Sequence, residues 1–192
     1  GITRNPWNLD FGPGGSSGGS GAALAAGFTT LATGTDIAGS IRIPSSACGT
    51  VGFKPPHGRN PDGPPANFDR FNHCGPMTRT VADAALMQNT TSGPHPLDHD
   101  SLRNRVRLPV KAESIRGMKI AYSLDFGYVE VDPEVRRNTL AALAVFRGLG
   151  AEVNEVDLGW TPQVDLDCFH WYNAMHFGRQ TIWHREKNAR LM

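Results

Sequence analysis

The chain has 192 residues, 39% of them hydrophobic, and a formal net charge of +1 at pH 7. A chain of this length and composition can bury a hydrophobic core, which argues against intrinsic disorder. Its lysines and arginines are scattered and form no basic stripe of the kind that follows a phosphate backbone. Nucleic acid is therefore not an expected partner.

Membrane association and secretion are not expected either. The longest apolar-leaning stretch, residues 22–32, is interrupted by Gly27 and two threonines and is too short to cross a bilayer. The first residues lack the basic and apolar regions of a signal peptide. Three cysteines in a chain of this size favour a reduced setting over a disulfide scaffold, so we expect a cytoplasmic protein.

The first part of the chain predicts short elements separated by glycine-rich loops. Residues 1–15 indicate an irregular loop held close to other backbone, and the small residues after Ser16 predict a helix that ends at Gly27. A buried strand is predicted over residues 28–33, bounded by a glycine, and a turn over residues 35–39. The loop and the turn both carry serines.

A long structured loop comes next, because residues 53–76 contain six prolines and many small polar residues. Loops of this kind often build a site in a compact enzyme. Thr80, with Asp83 three residues later, predicts a capped helix start, and the pair at residues 93–94 predicts its stop.

The second part of the chain predicts strand, helix and strand in succession. Residues 118–122 alternate as in a half-buried strand, residues 132–133 begin a helix that Gly150 ends, and residues 152–158 predict the second strand. This pattern is typical of an α/β layer, a sheet flanked by helices. The helix is expected to bury an apolar face made of Val135, Ala142, Val145, Phe146 and Leu149.

Two segments, 14–20 and 34–45, each place a serine where backbone N–H groups are expected to be free. Ser40 follows a turn of small residues and opens a short helical turn, so unpaired N–H groups converge near its hydroxyl. A serine is a weak nucleophile until a base takes its proton, and a serine of the glycine-rich loop could serve as a relay. A phosphate-binding loop does not fit, because Ser20 occupies the position of the required lysine.

The segments 14–20 (Gly-Gly-Ser-Ser-Gly-Gly-Ser) and 34–45 (Gly-Thr-Asp-Ile-Ala-Gly-Ser-Ile-Arg-Ile-Pro-Ser), together with residues 52–55 and 75–84, resemble the amidase signature family. The resemblance implies an α/β fold with a mixed β-sheet core flanked by helices. It also implies that residues 1–192 are the central part of a single amidase signature domain. Its parts are a signature core over about 1–90, an αβ layer over about 115–158 and a helical segment over 159–192.

Members of that family cleave carboxamides with a triad of serine, cis-serine and lysine. Carried over by motif, the nucleophile is Ser40 and the cis-serine is Ser16, with Gly15 relieving the crowding of a cis peptide bond. The family lysine lies upstream of the glycine-rich loop, outside this chain, so the chain alone is expected to be inactive. The lysines that the chain contains are Lys54, Lys111, Lys119 and Lys187.

The resemblance also assigns the groups around the nucleophile. Asp36 and Arg42 are expected to pair and brace the turn. Ser17 is expected first of all to be a hydrogen-bonding cap, and it is also a candidate to support the nucleophile. Ala38 stands where glycine is more common in the family, which is tolerable unless that position needs a positive φ. The oxyanion hole is expected to consist of the backbone N–H groups of Ile37, Ala38, Gly39 and Ser40.

The resulting hypothesis is an amidohydrolase that acts on a small-molecule amide through an acyl-enzyme on Ser40, without metal or cofactor. One alternative is the glutamine-hydrolysing subunit of a tRNA-dependent amidotransferase. Another is a non-catalytic or truncated protein that keeps the fold. A homo-oligomer is left open. Cys74 and His73 are not expected to form a nucleophilic pair, because adjacent strand residues point to opposite sides.

Overall fold

The computed structural model describes residues 1–64, 66–111 and 114–188, apart from the side chains of residues 68, 175–177 and 179–188. The chain divides into two compact units, Gly1–Ala112 and Glu113–Met192. The serine-rich segments all lie in the first unit.

The first unit is built on a three-stranded antiparallel sheet with strand order β1-β3-β2. A single 3₁₀ turn, Ala66–Phe68, lies in the long loop between β2 and β3. The strands and helices are α1 (Gly18–Ala25), β1 (Leu31–Asp36), α2 (Arg42–Cys48), β2 (Val51–Gly52), β3 (His73–Thr78) and α3 (Val81–Thr91).

Strand β1 begins and ends later than predicted. It starts at Leu31 and continues through Gly34, so the predicted range 28–33 was wrong at both ends. A methyl group placed on Gly34 would lie 2.8 Å from both Ser17 Oγ and Met77 Sδ. Gly34 is therefore required for close packing inside the strand and does not form a turn.

Helices α1 and α3 are where the sequence predicts them. Helix α1 stops before Gly27, which has a φ of +76°. Its Leu24 is fully buried against Ile41 and Met77, and these side chains form the core of the first unit. At the start of α3 the hydroxyl of Thr80 accepts a hydrogen bond of 3.1 Å from the backbone N–H of Asp83, which confirms the predicted cap.

Helix α2 has only seven residues, and residues far away in the chain hold its C-terminal end. The side-chain amide of Asn5 donates to the carbonyl of Ala47 at 2.7 Å, and the indole N–H of Trp7 donates to the carbonyl of Cys48 at 2.8 Å. These bonds satisfy carbonyl groups that a helix end leaves without partners. They also hold the N-terminal loop against other backbone, as predicted.

The second unit is a strand–helix–strand arrangement followed by a long helix. Strands β4 and β5 pair in parallel, with Lys119 opposite Glu152. Asp132 caps the connecting helix by accepting from the backbone N–H of Glu134 at 2.7 Å. The elements are β4 (Lys119–Tyr122), α4 (Pro133–Gly148), β5 (Glu152–Glu155) and α5 (Pro162–Asn188).

The face of α4 that packs on this sheet is not the predicted one. Leu143 is buried against Ala151 and Val153, whereas Val135 and Val145 are 55% and 59% exposed. Apolar residues occupy more than one side of α4, and periodicity alone does not tell which side a sheet will cover. That part of the prediction was wrong.

Sheets and helices combine in both units, which confirms a mixed α/β fold. Helix α5 accounts for most of the segment that was expected to be helical at the end of the chain. None of the helices in the described ranges combines the length and the apolar character needed to cross a membrane.

Candidate active site

Two loops that carry serines meet at the ends of β1, α1 and α2. The peptide bond between Gly15 and Ser16 is cis, as the resemblance implies. One residue later, the backbone N–H of Ser17 donates to the carbonyl of Ser40 at 3.2 Å. Ser16 is exposed and Ser40 is half-buried. The fold therefore places the backbones of the two segments within hydrogen-bonding distance of each other.

Ser17 joins the glycine-rich loop to the sheet. Its hydroxyl accepts from the backbone N–H of Thr35 at 3.2 Å and lies 3.4 Å from the carbonyl of the same residue. On the next turn of α1, the hydroxyl of Ser20 donates to the carbonyl of Thr33 at 2.9 Å. The start of α1 is thus fixed along β1 by the side chains of Ser17 and Ser20.

The contact between the two serine-bearing segments is made by backbone atoms, through the hydrogen bond from Ser17 N–H to the Ser40 carbonyl. Among the described residues, the hydroxyl groups of Ser16 and Ser40 make no hydrogen bond with each other, and no lysine side chain bonds to either. The relay through Ser16 therefore stays a prediction.

Asp36 organises the turn that carries Ser40. It is fully buried at the end of β1, and its Oδ1 accepts from the backbone N–H of Gly39 at 2.7 Å. Its Oδ2 accepts from the backbone N–H groups of Ile41 and Arg42 at 3.2 and 3.3 Å. The guanidinium of Arg42 binds the same carboxylate through Nε and Nη2, both at 2.9 Å. Asp36 thus closes the turn and caps the start of α2.

These bonds keep Asp36 ionised. Burial alone raises the pKa of its carboxyl, but the hydrogen bonds from Arg42 and from the backbone of Gly39 outweigh that effect. The pKa of Asp36 therefore lies well below its usual range. The same contact raises the pKa of the Arg42 guanidinium. The ion pair is present as the sequence predicts, with half of the Arg42 side chain left in solvent.

The predicted oxyanion donors fall into two groups. The N–H of Gly39 is already bound to Asp36, whereas those of Ile37, Ala38 and Ser40 have no acceptor within the described part of the chain. Gly39 has a φ of +115°, and a methyl group there would lie 2.7 Å from Ile43 Cδ1. Ala38 has no positive φ, so the turn needs a glycine at 39 and not at 38.

The long proline-rich loop contributes most of the lining of a small cavity, which neither Ser16 nor Ser40 lines. Its walls include His57, Asn67, Cys74 and Asp98. Burial raises the pKa of the Cys74 thiol, and the nearby negative charge of Asp62 raises it further. A thiol whose pKa is raised is a weaker nucleophile at neutral pH, because less of it is ionised. In the described ranges no cluster of His, Cys, Asp or Glu could hold a metal ion.

The sequence did not predict that a histidine contacts the start of the turn that carries Ser40. His73 lies opposite Asp36 in the β1–β3 ladder, and its Nδ1 is 3.2 Å from the backbone carbonyl of Asp36. No local pattern marks this residue, since its partner lies 37 positions earlier in the chain. Only the pairing of the strands brings the two together.

Comparison with protein families gives a match over nearly the whole chain: the amidase family profile covers residues 1–184. A glutamyl-tRNA(Gln) amidotransferase subunit from Desulforapulum autotrophicum is 46% identical over 168 residues, covering 83% of this chain and 34% of that protein. An acylamidase from Rhodococcus erythropolis is 45% identical over 163 residues, again covering 83% of this chain and 34% of the relative.

Solved structures agree with these relatives. A bacterial aryl acylamidase of the amidase signature family superposes with a TM-score of 0.79 and 43% identity, covering 88% of this chain and 36% of that one. The corresponding glutamyl-tRNA(Gln) amidotransferase subunit from Thermotoga maritima gives a TM-score of 0.72 and 36% identity, covering 81% and 35%. The chain thus spans about a third of the length of the relatives that it matches.

Proposed function

Because this chain belongs to the amidase signature family, we propose that it is part of an enzyme that hydrolyses the C–N bond of a small-molecule amide, with Ser40 as the nucleophile. The observation that carries the proposal is the hydrogen bond from Ser17 N–H to the Ser40 carbonyl, next to the cis peptide bond of Ser16. It supports a site in which the two serines act together.

In the proposed first step, Ser40 Oγ attacks the amide carbonyl carbon and forms a C–O bond. Its proton passes to Ser16 Oγ, and the proton of Ser16 passes to a neutral lysine, which the resemblance places before Ser16 in the longer enzymes. The tetrahedral intermediate then collapses, the C–N bond breaks, and the leaving amine takes a proton back through the same relay. The product of this step is an acyl-enzyme on Ser40.

The negative charge that develops on the substrate oxygen requires donors. We assign this role to the free backbone N–H groups of Ile37, Ala38 and Ser40, at a turn that Asp36 already holds in shape. Gly39, whose N–H is bound to Asp36, has a bracing role in this assignment. Donors fixed before the reaction stabilise the oxyanion without the cost of reorganisation, and one such donor contributes about 10²- to 10³-fold in kcat.

The second step is hydrolysis of the acyl-enzyme. Water gives a proton to the relay and attacks the ester carbon, and the bond from that carbon to Ser40 Oγ then breaks. Ser40 Oγ takes the proton back from the relay, which releases the acid and restores the serine. All groups assigned here are serine hydroxyls, backbone N–H groups and one lysine amine. Water is the only co-reactant that the hydrolysis consumes.

A second candidate is the glutamine-hydrolysing subunit of a tRNA-dependent amidotransferase. One observation favours it: this chain is as similar to an amidotransferase subunit, at 46% identity, as it is to an acylamidase, at 45%. The same serine chemistry serves both. They differ in the amide that is cleaved and in the need for partner subunits.

The location that we propose is the cytoplasm. Support comes from the cysteines: Cys48 is a buried free thiol, and Cys74 and Cys168 are also unpaired. Free thiols in a chain of this size fit a reducing compartment.

The test is labelling of the full-length enzyme that contains this chain with a serine-reactive fluorophosphonate. We expect rapid labelling of the wild type at Ser40 and none in Ser40→Ala, together with a loss of amide hydrolysis of about 10⁴-fold or more. Ser16→Ala should slow both reactions strongly, since Ser40 then lacks its relay.

Ser46→Ala is the matched control, because Ser46 is an exposed serine on helix α2 and has no role in the proposed chemistry. It should label and turn over like the wild type. Labelling that persists in Ser40→Ala would overturn the nucleophile assignment. Glutamine hydrolysis that requires added partner subunits, without turnover of acylamides, would select the second candidate.

A further inference from the structure

His73 contacts the backbone at the start of the turn that carries Ser40. This residue pairs with Asp36 at the end of the β1–β3 ladder. Its Nδ1 lies 2.6 Å from the backbone carbonyl of Phe71 and 3.2 Å from that of Asp36. One ring nitrogen therefore contacts two carbonyl groups, one in its own loop and one at the start of the turn.

The chemistry of these partners fixes the state of that nitrogen. Carbonyl oxygens only accept hydrogen bonds, so Nδ1 carries a hydrogen whether the ring is neutral or cationic. His73 is thus a donor shared between Phe71 and Asp36. The assignment follows from the partners and holds for either charge state of the ring.

A second histidine keeps the ring of His73 in place. The rings of His57 and His73 meet edge to face, with centroids 5.7 Å apart and planes at 83°. His57 Nε2 is in turn 3.3 Å from Asp100 Oδ2, and Arg70 lies 3.5 Å from the same oxygen. The ring that contacts Asp36 is therefore packed against a side chain that has its own partner.

The contact from His73 can affect the Ser40 turn through Asp36, because Asp36 binds both. Its carbonyl takes the bond from His73, and its carboxylate takes the backbone N–H groups of Gly39, Ile41 and Arg42. A change in the position of the Asp36 backbone moves the carboxylate and, with it, the turn. The hydroxyl of Ser40 and the free N–H groups beside it would move too.

We propose that His73 is a positioning residue for the nucleophile: its Nδ1–H fixes the Asp36 carbonyl where strand β1 ends, and so sets the geometry of the Ser40 turn. The inference rests on the proposed function. It assigns His73 no contact with substrate. Substitution of His73 should therefore change the rate of reaction at Ser40 and leave substrate affinity unchanged.

The test compares two amide side chains at position 73 in the full-length enzyme. In His73→Asn the side-chain N–H₂ occupies the place of Nδ1 and can still donate to the Asp36 carbonyl. In His73→Gln it extends to the place of Nε2 and cannot. We expect kcat and the fluorophosphonate labelling rate of His73→Asn to stay within about 3-fold of wild type, and both to fall about 10- to 100-fold in His73→Gln.

KM should change less than about 3-fold in both variants, because only the position of the nucleophile is altered. His95→Leu is the matched control, since His95 is an exposed histidine of the same unit that lies outside the site. It should behave like the wild type. Both amide side chains are polar and similar in size to histidine, so the comparison does not depend on a variant that leaves an apolar surface.

Three results would count against the proposal. Equal rates in His73→Gln and wild type, with Ser40→Ala inactive, would overturn the positioning role alone. Equally slow His73→Asn and His73→Gln would show that the Nδ1 donor is not what matters, and would overturn it as well. Labelling that survives in Ser40→Ala would overturn the proposed function and this inference with it.

Discussion

Asp36 is the residue on which the geometry of the site depends most directly. One buried carboxylate binds the backbone N–H groups of Gly39, Ile41 and Arg42 and the guanidinium of Arg42. The side chain of asparagine has the same shape but cannot replace it. Its amide offers one acceptor oxygen, and its N–H₂ group would face N–H donors that now bind the second carboxylate oxygen. The charge and both oxygens are therefore needed.

We predict that Asp36→Asn lowers the free energy of unfolding by about 2–4 kcal/mol at pH 7, because buried N–H groups lose a charged acceptor. The pH dependence follows from the lowered pKa of Asp36. A carboxyl whose pKa is lower in the folded state contributes stability above its unfolded pKa of about 4, and that contribution is lost as the pH falls below it. The difference between wild type and variant should therefore shrink at about pH 3.

Urea unfolding of the full-length enzyme at the two pH values checks this. Asp10→Asn is the matched control, since Asp10 is an exposed aspartate in the N-terminal loop. It should change the free energy of unfolding by less than about 0.5 kcal/mol at either pH. A gap between wild type and Asp36→Asn that is the same at both pH values would contradict the assigned role of the charge.

At the scale of elements, helix α2 shows how the site depends on distant parts of the chain. Seven residues are too few for a helix that is stable by itself. The backbone N–H of its first residue, Arg42, donates to Asp36, and the carbonyls of its last two residues accept from Asn5 and Trp7. Both ends of α2 therefore rest on side chains outside it, and Ser40 lies just before its first turn.

Asn5→Ala tests this dependence. The substitution removes the donor to the Ala47 carbonyl and the acceptor for the Trp7 backbone N–H, both through a side chain that is largely buried. We expect a loss of about 1–3 kcal/mol in the free energy of unfolding and slower labelling of Ser40. Thermal or urea unfolding together with fluorophosphonate labelling measures both effects.

Asn8→Ala is its control, because Asn8 is exposed and its side chain bonds only to the nearby backbone N–H of Asp10. Its effect on the free energy of unfolding should be clearly smaller. If Asn5→Ala and Asn8→Ala were equally mild, the Asn5 bond would not be what holds the end of α2.

In the molecule as a whole, the proposed nucleophile and the residues proposed to support it belong to one unit, Gly1–Ala112. That unit holds Ser16, Ser40, Asp36 and His73. What it does not show is a base for Ser16: in the part of the chain that the structure describes, no lysine bonds to either serine. The site needs a proton acceptor in addition to the groups seen here.

We therefore expect the 192-residue chain, expressed by itself, to show neither fluorophosphonate labelling nor amide hydrolysis. Without a base the Ser40 hydroxyl stays protonated and is a weak nucleophile. Purified chain and full-length enzyme should be compared at equal concentration, with circular dichroism to establish that the chain is folded. Labelling of the folded chain at the full-length rate would mean that the base lies within it, and Lys54→Met would be the next variant to measure.

Features that depend on neighbours in the chain could be predicted from the amino-acid sequence. The cap at Thr80, the start of α4 at Asp132 and the stop of α1 before Gly27 follow from side chains that reach only a few residues along the backbone. The pairing of Asp36 with Arg42 is of the same kind, since six positions separate them around one turn. Local geometry limits such contacts to few arrangements, so residue types and spacing suffice to predict them.

Contacts between distant positions could not be predicted and became known from the three-dimensional fold. The bond from His73 to Asp36, the bond from Asn5 to α2 and the close packing of Gly34 on Ser17 all depend on which strands and loops meet. The packed face of α4 was decided in the same way, by the position of its Leu143 on β4 and β5. Many sequences with the same local signals could pair differently, because long-range contacts are set by the burial of whole surfaces and not by a motif.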